Sequence, residues 1–143
     1  MVVIWLLILS STAAQAITEP VGSIKTLKGT AQITRGGAVV KAQIGAPIHQ
    51  RDAIETAADS HIGIILRDDT CLSLGPNSRI DLKTYIFEPQ ESRYSVLIRI
   101  LKGTLVYLSG VIGKLSPDSV QLETPDATIA IRGTRLLIQV EGS

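Results

Sequence analysis

The sequence predicts an all-β domain, a single sandwich or roll of about ten short strands. Three observations carry this expectation. Apolar residues recur with a period of two, glycine and turn residues punctuate them at short intervals, and no stretch holds the i, i+3, i+4, i+7 apolar spacing over three turns. A chain of 143 residues has room for one core and little room for a second.

Taken in order, Ser23 to Lys28 alternates, resets at Gly29, and alternates again over Ala31 to Arg35. Gly36-Gly37 can take the positive φ values of a tight hairpin turn, so Ala38 to Gln43 reads as the returning strand. Asp52 to Ala58 could make one short helical turn at most. His61 to Arg67 places Ile62, Ile64 and Leu66 on one face and Ile65 on the other, and Cys71 to Leu74 answers it across Asp68-Asp69. Ile80, Leu82 and Tyr85 to Phe87 form the next strand, and Glu88 to Arg93 is a polar loop. Tyr94 to Leu108 reads as two strands parted at Lys102-Gly103. Val120 to Glu123, Thr128 to Ile131 and Leu136 to Val140 complete the set. Pro47, Pro76, Pro117 and Pro125 fall between these runs, where a missing N–H does no harm.

Composition narrows the function. The formal net charge is +1 and the charges are scattered, without the basic excess that drives nucleic-acid binding. With aromatics at only 3%, a groove that stacks bases would be poorly equipped, and sugar stacking is disfavoured more weakly. Val2 to Leu9 is an almost unbroken apolar run followed by small residues and Ala14-Gln15-Ala16. It is too short to span a bilayer and reads as a secretory signal, 1–16, cleaved after Ala16. No Lys or Arg precedes it, so the α-amino group is its only positive charge. The expected product is a periplasmic domain, 17–143, without a membrane span. Cys71 is the only cysteine, so packing must supply stability without an intramolecular disulfide.

A basic residue, Gly and Thr occur together three times: Lys28-Gly29-Thr30, Lys102-Gly103-Thr104 and Arg132-Gly133-Thr134. The spacings of 74 and 30 residues are unequal, so this is no solenoid repeat. Glycine within a strand pattern marks a bulge or bend, so these are read as corners where the chain bends or changes sheet. The rival reading is a ligand-binding triad of basic residues. Arg132 is either a guanidinium for a partner or anion, or a fork that bonds carbonyls or Asp126 to lock the Pro125 corner.

Three longer runs resemble the FecR domain of iron-dicitrate transport regulators. They are Gly45 to Thr56 with Ser60, Ile65 to Ser78, and Thr124-Pro125-Asp126-Ala127-Thr128-Ile129-Ala130-Ile131-Arg132-Gly133-Thr134. The similarity extends from about Val21 to the C-terminus. It implies an exported, non-enzymatic domain of jelly-roll type, used in periplasmic protein–protein signalling. The anti-sigma segment and transmembrane helix of the full regulators are absent from this sequence, so sigma-factor control is not carried over. The family generally has Gly-Asp where Arg51-Asp52 stands, and Asp-Gly where Asp68-Asp69 stands. Relatives usually add a further hairpin after the Arg-Gly-Thr strand; its absence here would leave a sheet edge open to pairing.

No chemistry emerges beside that resemblance. His49, His61, Cys71, Asp52, Asp68 and Asp69 do not stand at the ligand spacing of a metal site. A Cys71 nucleophile would need a base such as His61 in reach, and Cys71 reads instead as a half-buried small hydrophobe. Asp68 and Asp69 read as turn residues pointing into water. The expectation is a non-catalytic module without cofactor or metal. It would bind an envelope protein partner through an open strand edge or the strand-bend loops, and could form a homodimer through that edge. The alternative is an envelope glycan or peptidoglycan binder.

Overall fold

The computed structural model describes residues 19–131 and 133–141, so the predicted signal segment and Arg132 lie outside the described residues. Its strands are β1 (Gly22–Lys28), β2 (Ala31–Arg35), β3 (Ala38–Lys41), β4 (Pro47–Ile48), β5 (Ala53–Thr56) and β6 (His61–Leu66). They continue with β7 (Cys71–Leu74), β8 (Arg79–Glu88), β9 (Arg93–Leu108), β10 (Val120–Glu123), β11 (Thr128–Ala130) and β12 (Arg135–Val140). One five-residue helix, α1 (Val111–Leu115), lies between β9 and β10. The fold is all-β. Among the described residues no helix is long and apolar enough to cross a membrane.

The twelve strands form one curled sheet that folds over as two layers sharing β9. The back layer runs β3-β2-β5-β8-β9-β10-β11 and the front layer β4-β1-β6-β7-β9-β12. Every pairing is antiparallel except β10 on β9, which follows the crossover through α1. The first part of β9 pairs β8, Arg79 opposite Lys102, and its last residues pair β7 and β12, Val140 opposite Gly103. One 16-residue strand therefore serves both layers. Alternation fills the interior: Ile24, Ile54, Ile64, Leu72, Ile80, Leu82, Ile98 and Leu105 are all buried, and Tyr85 and Tyr107 join them. Branched aliphatics suit a pleated inner face, and each fully buried one contributes roughly 1.5–3 kcal/mol.

Several expectations change. β9 is continuous where two strands were expected, because Gly103 bends the chain without breaking its pairing. Asp52 to Ala58 holds β5 rather than a helical turn; a strand on each side, β2 and β8, imposes the extended form on a segment with little alternation of its own. Pro47 lies inside the two-residue edge strand β4, where its missing N–H faces no ladder partner. The helix α1 carries no side-chain cap and escaped the periodicity test through its shortness.

The bends between layers lie side by side. Gly29 (φ +80°) joins β1 to β2, and Gly103 (φ +85°) turns β9. Opposite each sits a residue in the left-handed region followed by a buried serine, Asp59-Ser60 and Asn77-Ser78. The Thr30 N–H donates to Ser60 Oγ and the Thr104 N–H to Ser78 Oγ, both at 2.9 Å. Each serine hydroxyl in turn donates to the carbonyl two residues before it, Ala58 at 3.1 Å and Pro76 at 3.0 Å. Thr56 braces the second pair, donating from Oγ1 to the Gly75 carbonyl at 2.6 Å and accepting from the Ser78 N–H at 2.9 Å. Ala57 links the two, its N–H donating to the Thr30 carbonyl at 3.0 Å and its carbonyl accepting from the Asn77 N–H at 3.1 Å.

A Cβ at Gly103 would stand 2.5 Å from Ser78 Cα, whereas one at Gly37 in the β2–β3 turn would meet nothing. Both positions have positive φ, so both alanine variants carry about 1–2 kcal/mol of backbone strain. Gly103→Ala adds a backbone clash and is expected to destabilise by about 3 kcal/mol or more. Chemical denaturation of the two variants measures the difference, and equal losses would contradict the packing account.

Candidate interaction surface

The interior polar groups serve packing. Asp52 is fully buried and receives the Arg35 guanidinium in a fork, Nε to Oδ1 at 2.8 Å and Nη2 to Oδ2 at 2.7 Å. It also accepts the His49 N–H at 2.8 Å, closing the turn that leads into β5. This pairing holds Arg35, at the end of β2, over the β4–β5 connection, where Nη2 also reaches the Pro47 carbonyl at 3.2 Å. The carboxylate raises the pKa of Arg35 through that hydrogen bond. Nothing in the sequence spacing of 17 residues signalled the pair.

Asp68 overturns its sequence reading as a water-facing turn residue, since it is 1% exposed. Its carboxylate takes four neutral donors: Tyr85 Oη at 2.7 Å, the Thr70 N–H at 3.3 Å, Thr70 Oγ1 at 2.7 Å and the Ile112 N–H at 3.1 Å. The Asp68 carbonyl also accepts the Val111 N–H at 2.7 Å, so this residue fixes the first turn of α1 from outside the helix. Asp69, by contrast, is exposed at φ +67° and makes the turn. Burial, then the bond to Asp68, pushes the Tyr85 pKa far above the tyrosine value of 10.0. Burial raises Tyr107 in the same direction.

The sequence candidates for bond breaking, Cys71 and His61, lie apart from one another. Cys71 stands opposite Ile65, whereas His61 begins β6 four residues away, on the order of 13 Å along a strand. His49 lies beside Asp52, whose oxygens are engaged by Arg35 and the His49 backbone. Among the described residues no three His, Cys, Asp or Glu side chains gather as a metal site would require.

Of the basic corner residues, Lys28 and Lys102 are described, and they lie on different layers. Lys28 is exposed opposite His61 on the front layer, while Lys102 Nζ pairs with Glu55 Oε1 at 3.1 Å on the back layer. Gly133 (φ +125°) lies between β11 of the back layer and β12 of the front. There Ser109 holds it, donating from Oγ to the Gly133 carbonyl and from its N–H to the Thr134 carbonyl, both at 2.8 Å. Unlike Gly29 and Gly103, Gly133 has open space where a Cβ would stand.

Two features of the outer surface were not read from the sequence. The back layer is charged, with Glu55, Arg79, Asp81 and Lys102 forming a chain of ion pairs at 3.1–3.7 Å. The edge strand β3 is exposed along all four residues, and the apolar Val39, Val40 and Ile44 are 61%, 51% and 67% exposed around it. Among the described residues β3 pairs only with β2.

The fold and its surface define a single-core β-roll whose polar interior is structural and whose accessible features are strand edges, a charged face and bends. The family model described as FecR protein matches residues 52–143, and the chain belongs to that family of signalling and regulatory proteins. The match opens at Asp52, and β1 to β4, which precede it, complete both layers. No curated protein and no solved structure matches the chain.

Tyr85→Phe is expected to cost about 1–3 kcal/mol, because it leaves a buried carboxylate short of one donor. Folding raises the tyrosine pKa, so the stabilisation by its neutral form is complete below about pH 10 and is lost as pH rises further. Unfolding free energy measured across the alkaline range should therefore fall more gently for Tyr85→Phe than for the unaltered protein.

Proposed function

We propose that this protein is a non-catalytic periplasmic signalling module that docks a protein partner by strand addition at the edge of β3. The observation that carries the reading is the exposure of β3 on both faces, with Val39 and Val40 in water on a strand that, among the described residues, pairs on one side only. Edge strands are ordinarily blunted by charge, proline or bulges, and β3 has only Lys41 at its end. An added strand would gain main-chain hydrogen bonds from the edge and selectivity from the two valines, which project to opposite faces. Membership of a regulatory family supports the signalling role. The apolar run Val2 to Leu9 with Ala14-Gln15-Ala16 supports export. A glycan groove is less well supported, because the ring pair Phe87–Tyr94 is engaged with itself at 6.1 Å between centroids and partly buried against the core.

Gentle crosslinking in an envelope fraction should give a discrete adduct with another protein. The double variant Val39→Lys, Val40→Lys should abolish it while changing stability by no more than about 0.5 kcal/mol, as expected at an exposed site. An unchanged adduct in that variant would place docking elsewhere, and an adduct of two copies would identify the edge as a homodimer contact. Mass spectrometry of the exported protein should show a mature chain beginning at Ile17.

A further inference from the structure

The back layer carries a depression of about 460 Å³ between the Gly36-Gly37 turn and β8. Thr34 and Ala53 stand in register on neighbouring strands and form its low floor. Arg51, Arg79 and Lys83 stand around it with Asp81 as the one acid, so three cations face one carboxylate. Arg79 is incompletely used: its Nε is buried without a hydrogen-bond partner, and the nearest carboxylate oxygen, Asp81 Oδ1, is 3.7 Å away and equally unpartnered. Its Nη1 lies 3.6 Å from Glu55, also beyond a hydrogen bond.

Arg51 adds a second, independent observation. Its φ is +73°, a conformation that costs a residue with a Cβ about 1–2 kcal/mol. The turn holds it there through the Arg51 N–H to Leu82 carbonyl bond at 2.7 Å and the Leu82 N–H to Asp52 carbonyl bond at 2.9 Å. Glycine would meet the same backbone demand without strain. The fold carries that strain and gains a guanidinium at the rim, and strained backbone of this kind is concentrated at ligand clamps.

We propose that this depression binds an oxyanion, a phosphate or sulfate group, on a free ligand or a lipid headgroup. Planar guanidinium forks match tetrahedral oxyanions in geometry as well as charge, and Lys83 supplies a further point charge. The two glycines of the turn leave the rim without side chains, so an anion can approach the main chain there. The volume exceeds that of a bare phosphate and lies within the range of small-ligand pockets. This site is separate from the β3 edge, and neither reading depends on the other.

The test is NMR titration of the whole domain with inorganic pyrophosphate, alongside co-sedimentation with phosphatidylcholine vesicles containing phosphatidylglycerol. The variants are Arg79→Gln, Arg51→Gly and, as a control outside the depression, Lys41→Gln. Saturable shifts of the Gly36, Gly37 and Lys83 amides are expected. Affinity should fall roughly tenfold in Arg79→Gln and in Arg51→Gly, as for loss of a charged hydrogen bond, and stay unchanged in Lys41→Gln. Arg51→Gly should at the same time resist denaturation better than the unaltered protein, which separates lost binding from lost folding. Vesicle binding that fails in the same two variants would identify the oxyanion as a lipid headgroup, and pyrophosphate binding alone would identify a free ligand. Absence of saturable binding to either probe, or equal binding by all four proteins, would overturn the proposal.

Discussion

A sheet of this size can enclose its own core only if the chain turns from one layer to the other without abandoning its backbone hydrogen bonds. The structure meets that constraint at a seam where Gly29, Asp59, Asn77 and Gly103 bend the chain and two buried serine hydroxyls bridge the bends. Ser60 serves Thr30 and Ser78 serves Thr104 in the same manner. The hydroxyl accepts the N–H that the bend releases from the ladder and passes its own proton to a nearby carbonyl. Neither crossing leaves an orphaned donor, so the bend costs little beyond the backbone strain that glycine avoids.

The two buried carboxylates extend the same logic to the connections. Asp52 holds the β4–β5 turn with a guanidinium from β2, and Asp68 gathers the β6–β7 turn, β8 and the start of α1. They solve different electrostatic problems. Asp52 meets a cation whose other side remains in solvent. Asp68 relies on four neutral donors, an arrangement that rigidifies a site only when every member is present. Both residues would be easy to mistake for catalytic acids on burial alone, yet their oxygens are already committed to structure.

Outside this interior, the surface carries the features open to a partner or ligand. The charged back face, the depression beside Arg51 and the apolar edge at β3 are surface features on a rigid frame. That division suits a regulatory domain, in which recognition elements can vary while the seam and core keep the same shape.

Much of the fold could be read from the chain. Alternation located most strands, the Gly36-Gly37 hairpin was evident, and the Lys/Arg-Gly-Thr runs pointed to bends, because period-two patterning and glycine chemistry are local properties. The three FecR-like runs brought the family into view on the same local footing. Tertiary structure alone decided that β5 is a strand, that β9 spans both layers, and that Asp68 is buried while Asp69 is not. It also decided that Arg35 finds Asp52 and that Arg51 and Arg79 border one depression. Each of those outcomes depends on which strands become neighbours, and pairing between distant segments is set by assembly of the whole sheet rather than by any local pattern.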